Sequence, residues 1–202
     1  MSMRDMTIAK KLSVLLSFAF APQVSSAYAF VLLFLVVKTS VDAIAITLLF
    51  SSAVQVASLL IYAKASGGDL NVDSMKGRSL LFTVAVASYC AGFLALIHVA
   101  APYPISVLML CYAINTTVAA IMTKYVTKVS AHVWGVAGPS VVILYAYGIA
   151  GFAAMLVLAS IVGAARVSLR KHTWAQVALA LVLSVLVTSF IVYALAPAIL
   201  LL

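Results

Sequence analysis

Charge is scarce in this sequence. Only 8% of its 202 residues are charged, glutamate is absent, and 66% of the residues are hydrophobic. A water-soluble domain of this size cannot use so much apolar surface, because its surface-to-volume ratio limits its interior. Only two cysteines occur, and neither a zinc-type Cys/His spacing nor a glycine-rich phosphate loop is present. The composition therefore excludes a soluble domain and argues against zinc or P-loop proteins.

The apolar residues form long continuous runs. A spanning helix needs about 20 such residues, whereas strands of a membrane barrel would alternate apolar and polar residues. The runs predict an all-α, polytopic transmembrane helical bundle that forms one integral membrane domain over residues 1–202, with six to seven spanning helices. Gly148 and Gly151 predict a tight bend between two of them. The predicted spans lie at about residues 22–37, 41–63, 79–99, 104–124, 131–147, 150–165 and 174–198.

The N-terminal segment has two interpretations. Basic residues precede an apolar stretch at residues 12–20, and Ala27-Tyr28-Ala29 fits the cleavage site of a secretory signal peptide. Cleavage after Ala29 would leave only residues 30–37 before Lys38, which is too short to span. We therefore favour an uncleaved interfacial or signal-anchor segment over about residues 1–21, with Pro22 starting the next helix.

The basic residues are distributed unevenly. The chain has 12 basic and 4 acidic residues, and alternating spans place every basic residue except Lys38 on the side of the N-terminus. The positive-inside rule then predicts that this basic face is cytoplasmic in the cell membrane. Anionic headgroups explain the net charge of +8 better than nucleic acid does, because nothing resembles a nucleic-acid-binding module.

Three polar segments reach this basic face, at residues 64–78, 124–132 and 166–176. Together they contain the groups that phosphoryl transfer needs: fixed cations for the phosphate oxygens, one histidine to attack phosphorus and another to protonate the leaving oxygen. Gln176 follows His172 by four residues, so a helix starting there would bring the two side chains together.

The run Arg166-x5-His172-x3-Gln176, preceded by Ser130-x-His132, resembles the type 2 phosphatidic-acid phosphatase superfamily, over about residues 60–200. The resemblance implies that His172 is the nucleophile and His132 the general acid. It also implies that Arg166 and Ser130 hold the phosphate, with Lys128, just before the second motif, as a further ligand.

Several positions depart from that superfamily's pattern. Gln176 stands where the family has an aspartate, so the partner of His172 is uncharged. The first motif, Lys-x6-Arg-Pro, is broken, because Ser79 follows Arg78. Arg78 and Lys76 are nevertheless candidates for binding phosphate. The other replaced positions are Val129, Ala131, Ala165 and Asn71.

The sequence thus predicts a phosphoric monoester or diphosphate hydrolase that acts on a lipid or isoprenoid phosphate without a cofactor or resident metal. Asp69 and Asp73 are an alternative site for a divalent ion, although such aspartates more often cap turns. One alternative function is a catalytically weak or inactive relative that binds anionic headgroups or acts as a scaffold. A transporter is disfavoured, because no ionisable residue lies near mid-membrane. The oligomeric state stays open.

Two further residues are interpreted as interfacial. Trp134 and Trp174 each follow a candidate histidine by two residues and fit an aromatic belt at the membrane surface.

Overall fold

The computed structural model describes residues 7–67, 72 and 74–199, with side chains up to residue 194. Asp69, Asp73 and Asn71 therefore lie outside the described residues. Over the described ranges the regular structure is entirely helical. The helices are α1 (Ile8–Ala19), α2 (Pro22–Phe34), α3 (Val41–Leu48), α4 (Val54–Ala65), α5 (Met75–His98), α6 (Tyr103–Tyr125), α7 (Ala131–Ala137), α8 (Ser140–Ser168) and α9 (Trp174–Ile199).

Local chemistry sets several helix boundaries. Pro22 is the first residue of α2, where its missing N–H costs nothing. Ser40 and Ser74 cap α3 and α5, since each hydroxyl accepts a hydrogen bond of 3.1 Å from the backbone N–H three residues on. A π-helical turn at Leu49–Ala53 joins α3 to α4, and its Phe50 carbonyl accepts a 2.7 Å bond from the hydroxyl of Ser88.

Five helical segments have the length and apolarity to cross a membrane, and α1 with α2, bent by 65°, would be a sixth. The five are Val41–Ala65, α5, α6, α8 and the first 21 residues of α9. This is a helical membrane bundle. Residues 131–147 do not count as a seventh such segment, because they are not one helix: α7 has seven residues and ends beside Gly138-Pro139.

Helix α6 occupies the centre of the bundle. Of its most apolar window, 56% is buried, against 17–33% for the other four segments. Large apolar side chains point outward elsewhere, as in Leu94 (67% exposed) and Phe190 (73% exposed). Apolar outer surface of this extent fits contact with lipid chains.

The chain reverses direction inside α8. Gly148 has φ 68° and ψ −167°, a backbone conformation that is open essentially to glycine alone. A Cβ on Gly151 would lie 3.1 Å from Cγ2 of Ile143, whereas eight residues of straight helix would separate them by about 12 Å. The bend predicted at Gly148 and Gly151 is therefore present, and residues 131–147 run antiparallel to residues 149–168.

This hairpin decides where the candidate residues lie. The hydroxyl of Tyr147, next to the reversal, donates a 2.7 Å hydrogen bond to the carbonyl of Leu32 near the end of α2. At the other end of the hairpin, α7 begins and α8 finishes. His132 and Arg166 therefore lie at the same end of the bundle, close to α1, which packs against α8.

Candidate functional site

A cavity of about 260 Å³ opens at that end of the bundle and is lined by four of the predicted site residues. Arg78 comes from the first turn of α5, His132 from α7, Arg166 from the end of α8, and His172 from the connection to α9. Arg166 and His172 are 6% and 8% exposed. Four groups that are distant in sequence thus share one mostly enclosed volume.

His172 is oriented by the first turn of α9. Its Nδ1 lies 3.2 Å from Oε1 of Gln176, and the backbone N–H of Thr173 donates to the same oxygen at 3.2 Å. Because a backbone N–H can only donate, this oxygen is an acceptor, and Nδ1 must carry the proton. The lone pair of His172 is therefore on Nε2. The Gln176 amide also donates to the hydroxyl of Thr127 at 3.3 Å, which fixes its own orientation.

His132 and Arg166 share a partner on α1. Nη1 of Arg166 donates to the hydroxyl of Ser17 at 3.2 Å. The backbone of the same serine lies close enough to the ring of His132 to raise its pKa. Ser17 is itself buried and lines the cavity.

Both histidines are held in the neutral form. Burial and then the positive charge of Arg166 lower the pKa of His132 to about 3, although the nearby backbone of Ser17 raises it. Burial lowers the pKa of His172 to about 4, with Arg166 and then Lys128 acting in the same direction. A bound phosphate would oppose these effects, because its negative charge favours the imidazolium form.

The other predicted ligands are placed differently. Arg78 is fixed by a 2.9 Å bond from its Nε to the carbonyl of Val72. Lys128 lies close enough to His172 to lower its pKa, but it does not line the cavity. Ser130 is fully buried before α7, and its hydroxyl has no hydrogen-bond partner within the described ranges. Lys76 is exposed and lies outside the cavity wall.

Away from the charged groups, the cavity wall is mainly apolar. It continues between the helices along α5 and α6, where Trp134 and Tyr112 are also part of its lining. The apolar lining includes Leu59, Leu81, Phe82, Ala85, Leu108 and Ala119. One end of the cavity thus suits an anion, and the remainder suits a hydrocarbon chain.

Trp134 corrects one expectation. It is only 4% exposed, and its indole N–H donates to Oδ1 of Asn115 at 2.8 Å. The amide of Asn115 donates in turn to Thr188 at 2.8 Å. Trp134 is therefore a hydrogen-bonded core residue rather than part of an interfacial belt, whereas Trp174 is 62% exposed and fits that role.

Sequence reasoning missed Ser17 and Thr127. The only signal for Ser17 was that it and Ser13 occupy one face of a helix whose other residues after Lys11 are apolar. Nothing in the sequence indicated Thr127, because its hydrogen bond with Gln176 depends on how the α6–α7 connection packs against α9.

A scan against protein-family models gave no match, and searches of curated proteins and of solved structures gave no significant match either. The geometry of the cavity is therefore the basis for proposing a function.

Proposed function

We propose that the chain is a membrane phosphatase or diphosphatase that hydrolyses a lipid or isoprenoid phosphate through a phosphohistidine at His172. The observation that carries the proposal is one cavity with two guanidinium groups and two imidazoles at one end and apolar walls beyond them. An amphipathic phosphate ester is divided in the same way, because it has an anionic headgroup at one end and an apolar chain beyond it. The resemblance of the motifs around His132 and His172 points in the same direction.

The proposed reaction has two steps. Nε2 of His172 attacks phosphorus and forms a P–N bond, the P–O bond to the lipid breaks, and His132 donates a proton to the departing oxygen. Water then attacks phosphorus, the P–N bond breaks, His132 takes a proton from the water, and inorganic phosphate leaves. Arg166 and Arg78 stabilise the charge on the phosphoryl oxygens in both steps.

His132 must be protonated to act as the acid, although it is neutral in the empty cavity at pH 7. The negative charge of the substrate's phosphate stabilises the protonated imidazole of His132. Substrate binding is therefore accompanied by the uptake of a proton. The roles of Ser130, Lys128 and Lys76 stay predictions, with Lys128 the best placed to contribute long-range charge. The cytoplasmic orientation of the basic face also stays a proposal from the positive-inside rule.

The test is phosphate release by the purified protein from farnesyl diphosphate, geranylgeranyl diphosphate and phosphatidic acid. His172→Ala should abolish release, whereas His98→Ala is a matched control, because His98 is exposed at the far end of α5. A phosphohistidine should be detectable by ³¹P NMR as an acid-labile, base-stable species. Release that survives His172→Ala would remove this residue from the mechanism.

A second candidate is a non-catalytic relative that binds anionic lipid headgroups. The uncharged Gln176 favours it, because an amide orients His172 but lacks the negative charge with which a carboxylate would stabilise its imidazolium form. In this case the protein would bind phosphate-bearing lipid in a flotation assay with phosphatidic acid vesicles, yet release no phosphate from any substrate.

A further inference from the structure

Helix α1 packs with its hydroxyl side inward. Ser13 and Ser17 are 7% and 9% exposed, whereas Ile8, Leu12, Leu15 and Phe18 are all more than half exposed. In a water-soluble protein the apolar face of such a helix would turn inward. Here the apolar face is left for lipid, and the serine face covers the end of α8 that carries Arg166.

The two buried serines differ in what they contact. The hydroxyl of Ser13 donates to the carbonyl of Ala9, one turn earlier in its own helix, at 3.0 Å. The hydroxyl of Ser17 accepts from Nη1 of Arg166, 149 residues away in sequence. The backbone of Ser17 lies close enough to His132 to raise its pKa. One residue of α1 thus bonds the guanidinium and lies near the imidazole of the site.

We propose that Ser17 is a positioning residue: its hydroxyl fixes the guanidinium of Arg166 for the phosphoryl group. The proposal rests on the function proposed above. A guanidinium is planar and rigid, so fixing one amino group sets the directions of the other N–H groups.

The contact of Ser17 with His132 involves the main chain and not the hydroxyl. A side-chain substitution at position 17 therefore leaves it in place. The hydroxyl can thus be tested separately.

The experiment compares Ser17→Ala, Ser17→Thr and the matched control Ser13→Ala in the full chain. The first readout is kcat/KM for phosphate release, and the second is the affinity for orthovanadate and inorganic phosphate, measured as thermal stabilisation in detergent. We expect Ser17→Ala to lower kcat/KM by about 10- to 100-fold, the range for losing a hydrogen bond to a charged group. Anion affinity should fall with it, while Ser13→Ala leaves both unchanged.

Two further results separate positioning from packing. Ser17→Thr keeps the hydroxyl and should recover most of the rate. Ser17→Thr should also recover the anion affinity; a threonine variant as impaired as Ser17→Ala would mean that the packing of α1 rather than the hydroxyl is responsible, and would overturn the proposal. An unchanged Ser17→Ala variant, or an equal loss in Ser13→Ala, would overturn it as well.

The anion-binding readout keeps the two proposals apart. If the wild-type protein releases no phosphate but binds vanadate more tightly than Ser17→Ala does, the phosphatase proposal fails and the role of Ser17 in holding Arg166 stands. If the wild type hydrolyses a substrate and Ser17→Ala matches it in rate and affinity, only the role of Ser17 is refuted.

Discussion

Mild acid should destabilise this protein through its two buried histidines. His132 and His172 have pKa values lowered to about 3 and about 4, chiefly by burial and then by the charge of Arg166. In the unfolded chain both return to about 6.5. Since the folded values are lower, the unfolded state binds more protons as the pH falls. Stability is complete above the unfolded value and is lost progressively below it.

The size of the effect follows from these shifts. One pKa unit corresponds to about 1.4 kcal/mol, so each histidine costs about 2 kcal/mol of unfolding free energy between about pH 7 and pH 5. The two together cost about 4 kcal/mol, which is a large part of the roughly 5–15 kcal/mol that a folded protein has. For a chain of this length, a midpoint shift on the order of 10 °C is expected.

The assay is thermal unfolding in detergent, followed by tryptophan fluorescence at pH 7, 6 and 5. The double variant His132→Gln/His172→Gln should lose most of the pH dependence, whereas His98→Gln should keep it. Saturating inorganic phosphate should also flatten the wild-type curve, because the bound anion raises both pKa values. A wild-type midpoint that is the same at pH 7 and pH 5, or a double variant with the full slope, would refute the reasoning.

Three other substitutions test separate parts of the structure. Arg166→Lys keeps the positive charge but loses the planar guanidinium with its several N–H donors, so kcat/KM for phosphate release should fall by about 100-fold. An unchanged kcat/KM would show that a point charge suffices at this position. Gln176→Asp should raise kcat by about tenfold and raise the pKa of His172, measured by NMR titration, because a carboxylate stabilises the imidazolium form. Gly148→Ala should lower the free energy of unfolding by about 1–3 kcal/mol, seen as a lower thermal midpoint, because alanine resists the positive φ at this position.

The sequence predicted the meeting of His132, Arg166 and His172 for a simple reason. Each pair of helices returns the chain to the same side of a membrane, so segments separated by two helices must share a face. Helix periodicity added the contact between His172 and Gln176, which the structure shows at 3.2 Å. Both predictions follow from helix periodicity and from the requirement that successive helices cross the bilayer in opposite directions.

Other features depend on tertiary packing and could not be predicted from the sequence. Trp134 was interpreted as interfacial because its neighbours in sequence suggested a membrane surface, yet a partner 19 residues away, Asn115, holds it in the core. The contact between Ser17 and Arg166 required knowing that α1 folds back over α8. The end of α7 beside Gly138-Pro139 also interrupts a predicted span, residues 131–147, that composition alone treats as continuous.

The reversal at Gly148 allows the orientation of the protein in the membrane to be measured. Gly148 lies 18 positions before Arg166, and a helix of that length separates the two residues by about 27 Å, close to the thickness of a bilayer core. A single cysteine introduced at Ile149 and another at Lys171, each in a background with Cys90 replaced, should label from opposite sides with a membrane-impermeant thiol reagent. The hairpin tip can therefore carry a reporter without touching the cavity, and intact cells would then show which compartment the two histidines face.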